Sequence, residues 1–295
     1  MSAAKKIRLC SPRGFCAGVR GALRIFDDAL ERYGAPIYVL HELVHNHDVT
    51  RRLAERGAVF VASVEDVPAN ATLLFGAHGV PPEVRRAAGM RGIRTVDATC
   101  PLVGKLQRSA AAIAPERDLF LFGSPDHPEM IGVKGHAGTR KIHLFSSLAE
   151  IDSLPENPTR PVLLSQTTRN HLEIDEVRKE LQRRYPDLED RAHVCDAVFQ
   201  RQEAVRALAR NCPVVLIAGS PHSSNAVRLR EIAAHCGARA FLIDGEEALP
   251  AAELRLGGDV GVSSGASTPE ESVQRIVEEL KTLGFSETGE QKDEM

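Results

Sequence analysis

The sequence predicts an α/β fold made of three similar units, whose mostly parallel sheets are arranged pseudo-threefold around a common centre. Three observations predict this fold. Helical and strand-like stretches alternate along the chain, which favours parallel sheets. The same order of elements recurs three times, with a period of about ninety residues. The first and the last strand of each unit each run into a polar loop, and ligands of parallel sheets gather at the carboxyl ends of strands.

Each unit starts at a cysteine that follows a short strand and precedes a helix. The predicted helices cover residues 18–33, 102–114 and 197–210, with apolar residues three and four positions apart. The predicted strands of the three units are 36–40, 118–122 and 213–217, then 58–62, 141–145 and 238–244, and finally 73–75, 162–164 and 260–262. His45, His127 and Ser223 follow their cysteines by 29, 27 and 28 residues, which indicates equivalent places in the three units.

These repeats predict unit boundaries at 17–100, 101–195 and 196–281. Residues 1–16 contain a strand at 6–10, which we expect to complete the third unit because that unit lacks a closing strand of its own. Residues 282–295 are polar and acidic without periodicity, so we expect a disordered tail.

Composition limits the classes of function. A chain of 295 residues with 43% hydrophobic residues can fill more than one core. The net charge of −3, without a dense basic tract, argues against a nucleic-acid or membrane-surface partner. No apolar run approaches the ~20 residues of a membrane span, and the first residues lack a signal core, so we expect a cytoplasmic protein. In that compartment the six cysteines are not expected to form disulfides.

The cysteines at the three strand-to-helix junctions are the candidate metal ligands: Cys16, Cys100 and Cys195. The first turn of a helix carries partial positive charge, which favours the thiolate form that binds metals. Three thiolates fit an iron-sulfur cluster with one open iron, or zinc with one open position. Cys10, Cys212 and Cys236 have no equivalents in the other units, and we interpret them as structural.

Polar side chains at the strand ends are the candidate ligand-binding residues. The histidines are His45, His78 and His127, and hydroxyl and amide donors come from Thr167, Ser223, Ser224, Asn225 and Ser267. A serine-rich helix start suits a phosphate group, although the same residues also serve as ordinary helix caps. Glu129 is the one obvious carboxylate for proton transfer. The alternative interpretation is that Glu129 is an ordinary solvent-exposed acid of a loop.

Eight motifs in order carry a resemblance to a known family: PRGFCAGV, HELVHN, AHGV, DATCPLV, HPE, SQTT, SSN and SGAS. They resemble the 4-hydroxy-3-methylbut-2-enyl diphosphate reductases of the non-mevalonate isoprenoid pathway, over roughly residues 7 to 281. The resemblance implies three α/β units around a central 4Fe-4S cluster that is held by Cys16, Cys100 and Cys195. It also implies a two-electron, two-proton removal of the substrate hydroxyl as water, which gives isopentenyl and dimethylallyl diphosphates.

The resemblance further implies a role for each polar residue. The diphosphate would be held by His45, His78, Ser223, Ser224, Asn225 and Ser267. His127 would lie beside the substrate, Thr167 near its hydroxyl, and Glu129 would relay protons. A ferredoxin or flavodoxin would supply the electrons.

The chain departs from the family pattern at four positions: Ser124, Val198, His222 and Ala226. Val198 stands where a threonine is usual and Ala226 where a serine is frequent. Two other functions remain open from the residues alone. One is an iron-sulfur dehydratase that needs no external electrons, and the other is a non-catalytic protein that binds a phosphorylated metabolite.

Overall fold

A computed structural model describes residues 5–138, 141–245 and 249–288. The chain folds into two compact modules. We call residues 1–17, 45–51 and 196–295 the terminal module, and residues 18–44 and 52–195 the middle module. The middle module contains the strands of the first and second predicted units, and the terminal module contains those of the third.

The helices and strands of the first unit follow the predicted order. After the N-terminal strand β1 (Lys6–Leu9), which belongs to the sheet of the third unit, they are α1 (Ala17–Tyr33), β2 (Ile37–Leu40), α2 (His47–Glu55), β3 (Ala58–Val61), β4 (Thr72–Phe75), α3 (Pro82–Met90) and β5 (Arg94–Asp97). The second unit has α4 (Pro101–Ala111), β6 (Leu119–Phe122), α5 (Pro128–Ala137), β7 (Ile142–Phe145), β8 (Val162–Ser165), α6 (His171–Arg184) and β9 (Glu189–Asp190). The third has α7 (Asp196–Asn211), β10 (Val214–Ala218), α8 (Ser224–His235), β11 (Arg239–Ile243), α9 (Ala251–Arg255), β12 (Val260–Ser264), α10 (Glu270–Thr282) and β13 (Ser286–Thr288).

The strands form three sheets. The middle module has two sheets of four strands, in the orders β3-β2-β4-β5 and β7-β6-β8-β9. The terminal module has one sheet of five strands, in the order β11-β10-β12-β1-β13. Each strand pair within the described residues is parallel. The predicted α/β class with mostly parallel sheets is therefore confirmed.

The central strands are buried on both faces, which explains why they read as continuous apolar runs. In β6, Phe120 and Phe122 pack into one core with α6, whereas Leu119 and Leu121 pack into a second core with α4 and α5. This alternation follows from the two-residue period of a strand. In each sheet the polar loops therefore follow the carboxyl ends of strands that are held in a packed core.

The C-terminal segment differs from the prediction. Strand β13 pairs with β1, with Lys6 opposite Ser286, and Phe285 is buried in the core of the terminal module. The expected disordered tail is therefore wrong for residues 282–288, where α10 ends, Phe285 is buried and β13 joins the sheet, because one aromatic side chain anchors an otherwise polar segment. Residues 289–295 lie outside the described residues. Across the described ranges, no helix is both long and apolar enough to span a membrane.

Candidate active site

The three junction cysteines share one backbone arrangement. Each cysteine lies directly before a helix, and its N–H donates to a carbonyl in the loop that follows a central strand of its own sheet. The three bonds join Cys16 to Ala266 (3.0 Å), Cys100 to Ala77 (2.9 Å) and Cys195 to Thr167 (3.1 Å). All three side chains are partly exposed. The predicted equivalence of the units thus extends to individual hydrogen bonds.

The other three cysteines have different environments. Cys10 and Cys212 are buried in the terminal module, and burial raises the pKa of the Cys212 thiol to about 12. Such a thiol is neutral and unreactive at physiological pH. Cys236 lies at the end of α8, as its C-terminal cap. All six cysteines fall within the described residues, and no disulfide joins any of them.

Glu129 is a buried carboxyl rather than an exposed loop acid. It lies in the first turn of α5 and is only 1% exposed. Its Oε1 accepts a hydrogen bond from the Thr167 backbone N–H, and its Oε2 accepts one from the Thr167 hydroxyl, both at 2.7 Å. Burial raises the pKa of Glu129 from 4.5 to about 7, although both bonds from Thr167 act in the opposite direction. A carboxyl with this pKa can both hold and release a proton near neutral pH.

Two histidines belong to the same module as this carboxyl. His127 caps α5, and its Nδ1 accepts from the Glu129 backbone N–H at 3.2 Å. In the neutral ring the proton is then on Nε2, which can donate to a ligand. The His78 ring meets the His127 ring edge-on, with centroids 5.5 Å apart. The middle module therefore brings His78, His127, Glu129 and Thr167 together.

The terminal module contains the serine-rich helix start. Ser223 caps α8, and its Oγ accepts from the Ala226 N–H at 3.3 Å. Asn225 is 5% exposed, and neither its Oδ1 nor its Nδ2 has a hydrogen-bond partner among the described residues. A buried amide without partners is destabilising, by about 1–3 kcal/mol per unpaired group, and is typical of a site built for a ligand. This observation favours the binding interpretation over simple capping.

The loop after β12 supplies the second part of this site. The Ser267 hydroxyl donates to the His45 carbonyl at 3.0 Å, so these two candidate residues are joined within the terminal module. A Cβ added at Gly265 would lie 3.0 Å from the Cβ of Ala226, which shows how closely this loop approaches the start of α8. Ala226 is fully buried in that contact. The small side chain therefore fits the packing at this position.

The other departures from the family pattern have separate explanations. Ser124 acts through its backbone, because its N–H donates to Gln166 Oε1 at 2.9 Å and its carbonyl accepts from the His127 N–H at 3.1 Å. His222 is exposed, and Val198 is buried on the inner face of α7.

Sequence reasoning missed Arg201, which is 3% exposed in α7. Its Nη2 donates to the Gly14 carbonyl at 2.7 Å, and Gly14 in turn donates its N–H to Ser264 Oγ at 2.8 Å. Gly14 has a φ of +71°, a conformation that favours glycine, and lies two residues before Cys16. The sequence does show that this position is unusual, because an arginine there interrupts the apolar face of a predicted helix. Through its bond to the Gly14 carbonyl, Arg201 positions the loop that carries Cys16.

Fold and site together define an α/β protein with three equivalent strand-end thiols and a buried acid among hydrogen-bond donors. Residues 7–281 match the family model of the LytB protein. The chain belongs to the LytB family.

Relatives with known names agree with this assignment. The chain is 41% identical over 288 residues to the 4-hydroxy-3-methylbut-2-enyl diphosphate reductase of Saccharophagus degradans, covering 95% of the chain and 93% of the relative. It is 40% identical to the reductase of the same name from Neisseria meningitidis serogroup C, covering 95% and 88%. A solved structure of the E-1-hydroxy-2-methyl-but-2-enyl-4-diphosphate reductase from Plasmodium falciparum has a TM-score of 0.91 at 30% identity, covering 97% of this chain and 91% of that one.

Proposed function

We propose that this chain is a 4-hydroxy-3-methylbut-2-enyl diphosphate reductase that forms isopentenyl and dimethylallyl diphosphates. The observation that carries the proposal is the buried Glu129 carboxyl with a pKa of about 7, in a chain whose relatives are named as this reductase. The net reaction adds two electrons and two protons to the allylic alcohol, and releases water. The two protons must come from a donor, and a group with a pKa near 7 is well suited to donate them at neutral pH.

The cysteines fit the implied cofactor. Cys16, Cys100 and Cys195 would hold a 4Fe-4S cluster, which supplies electron transfer and Lewis acidity at its open iron when it is bound. Two properties of the donor set support this assignment. The three thiols share one backbone frame, and each is partly exposed in its own module. Thiolates are also the ligands that iron-sulfur clusters use most.

We propose that the diphosphate is bound by hydroxyl, amide and imidazole donors of the strand-end loops. Asn225 offers an amide that has no partner within the described chain, and Ser224 lies at the N-terminus of a helix of twelve residues. Helix N-termini stabilise phosphate charge through unpaired N–H groups. Ser223, Ser267, His45 and His78 complete the proposed donor set. Hydroxyl, amide and imidazole donors match the acceptor oxygens of a diphosphate.

Proton delivery is proposed for the pair Glu129 and Thr167. The Thr167 hydroxyl donates to the ionised carboxylate at 2.7 Å, and it can accept from the protonated form. It can therefore pass a proton from Glu129 toward the leaving hydroxyl. His127 lies on the same helix start as Glu129 and is proposed to contact the substrate.

Ferredoxin or flavodoxin is proposed as the source of electrons. Six cysteines without a disulfide fit a reducing compartment such as the cytoplasm.

Anaerobic oxidation of reduced methyl viologen, with and without 4-hydroxy-3-methylbut-2-enyl diphosphate, tests this function. The cluster-loaded protein should oxidise the dye only when the substrate is present, and should form the two isoprenoid diphosphates. Substrate consumption without dye oxidation would instead identify a dehydratase. A colourless anaerobic preparation without acid-labile sulfide would favour a binding protein.

A further inference from the structure

A cleft of about 240 Å³ in the middle module reaches Cys100 from the protein surface. It is lined by residues of β5, α4 and neighbouring helices, among them Arg85, Thr99, Cys100, Gly104, Arg108 and His136. The cleft lies within one module and contains none of the proposed diphosphate ligands. The cleft therefore gives access to Cys100, a candidate cluster ligand, at a place where no proposed diphosphate ligand lies.

Two cations of α4 lie in or next to this cleft. Arg108 lines it, and Lys105 directly follows the lining residue Gly104. Lys105 and Arg108 are three residues apart and share one face of the helix. Both are exposed, and neither forms an ion pair with any residue in the described part of the chain. The one acid in the lining, Asp97, is already paired with Arg85 at 2.9 Å. This positive surface contrasts with the net charge of −3 of the whole chain.

Only the second unit carries two cations at these positions. Lys105 and Arg108 follow Cys100 by five and eight residues. At the same spacing the first unit has Gly21 and Arg24 after Cys16, and the third has Gln200 and Glu203 after Cys195. The cation pair is therefore not a general property of the repeat, although the first unit keeps one of the two charges.

Exposed apolar side chains lie on α4 and on α5, the helix that packs against it. Leu102, two residues after Cys100, is 37% exposed, and Ile131 on the adjacent helix α5 is 47% exposed. Arginine is enriched at protein interfaces, and charges of one sign at an interface steer the approach of an oppositely charged partner.

We propose that this cleft, with the cations beside it, is the docking site through which a small acidic electron-carrier protein delivers electrons to the enzyme from the side of Cys100, one of the proposed cluster ligands. The proposal rests on the proposed function, because only a reductase needs external electrons. Two reduced one-electron carriers would be oxidised for each substrate, while the allylic alcohol and two protons become the isoprenoid product and water. The acidic rim of the carrier would face Lys105 and Arg108, and its redox centre would approach the cleft. Opposite charges of this kind accelerate association and orient the two proteins.

The double variant Lys105→Glu/Arg108→Glu tests the docking site. The matched control is Lys179→Glu/Arg183→Glu on α6, which changes net charge equally but lies on a helix that contributes no residue to the cleft lining. The probe is a plant-type ferredoxin with an acidic surface, and its association with each holoprotein is measured by surface plasmon resonance at low and physiological salt. Turnover is measured with reduced ferredoxin and, separately, with reduced methyl viologen.

We expect the cleft variant to bind ferredoxin at least about tenfold more weakly at low salt, with a smaller salt dependence. Ferredoxin-driven turnover should fall in parallel, whereas turnover driven by the small dye should stay within about twofold of wild type. The neutral variant Lys105→Gln/Arg108→Gln should give an intermediate loss, and the control variant should behave as wild type.

Two results would overturn the proposal. One is equal ferredoxin binding by the wild type and the cleft variant. The other is an equal loss in the control variant, which would attribute the effect to net charge alone. Failure of the wild type to oxidise methyl viologen with substrate would contradict the proposed function instead, so the two failures are distinguishable.

Discussion

The substitution Glu129→Gln should abolish turnover and, at the same time, stabilise the protein at alkaline pH. Glu129 has a pKa of about 7 in the folded chain, against 4.5 for an ordinary glutamate. Below pH 4.5 the Glu129 carboxyl is protonated in both the folded and the unfolded state, so its titration does not change the free energy of unfolding. As pH rises from there to 7, the unfolded state releases its proton first, and stability falls. Above pH 7 the penalty is constant, at about 3 kcal/mol, since each pKa unit corresponds to about 1.4 kcal/mol.

Glutamine does not titrate and therefore lacks this penalty. Its Oε1 can accept from the Thr167 N–H, and its amide can donate to the Thr167 hydroxyl, which reverses its own role from donor to acceptor. The stability difference between variant and wild type should therefore shift in favour of the variant by about 2 kcal/mol between pH 5.5 and pH 8.5. Substrate binding should persist while turnover is lost, because an amide cannot relay a proton.

Denaturant unfolding of the cluster-free protein at several pH values provides the measurement. The control is Glu176→Gln, the same substitution at an exposed position on α6, which should leave the pH dependence unchanged. A pH-independent difference between Glu129→Gln and wild type would refute the claim that burial raises this pKa. Wild-type turnover by the variant would remove Glu129 from the proton path.

Three further predictions follow from individual contacts. Thr167→Val removes one hydrogen bond to the ionised form of Glu129, so the pKa of Glu129 should rise by a further one to two units, roughly, as seen in the pH dependence of the unfolding free energy of the cluster-free protein; an unshifted pH dependence would contradict this bond. Asn225→Leu should leave the melting temperature of ligand-free protein unchanged or raise it, because no partner is lost, while calorimetric binding of inorganic pyrophosphate weakens about tenfold; a large fall in melting temperature would contradict the ligand-site interpretation. Cys100→Ser should lose iron and acid-labile sulfide, whereas Cys212→Ser should retain both; full cluster content in the first variant would remove Cys100 from the ligand set.

The fold and the junction cysteines could be predicted because both depend on local order in the chain. A strand, a short break and a helix place the intervening cysteine at a strand end, whatever the rest of the protein does. Repetition then distinguished Cys16, Cys100 and Cys195 from Cys10 and Cys212. The expected strand near the N-terminus also has a local basis, and β1 pairs with β12 in the structure.

Properties that depend on distant contacts could not be predicted. The burial of Glu129 requires the start of α5 to meet the loop after β8, and its partner Thr167 is 38 residues away. The contact between Arg201 and the Gly14 carbonyl joins residues 187 positions apart. Hydrophobic spacing reports which face of a helix is buried, but not which polar group it meets there. The sequence therefore identified Glu129 as a candidate and left its protonation state open.

The three units combine equal backbone frames with unequal side chains. In each unit the cysteine N–H bonds to a carbonyl of the loop after a central strand, so the geometry that presents the thiol is the same. The loops themselves differ: one contributes His78, another contributes Thr167, which binds Glu129 of α5, and the third contributes Ser267. Three cysteines in equivalent frames suit a cluster bound by three thiolates, whereas an allylic diphosphate has a charged end and a reacting end. Under the proposed function, the shared frame serves the cofactor. The divergent loop side chains then distinguish the two ends of the substrate, and this division explains why one acid suffices among three similar units.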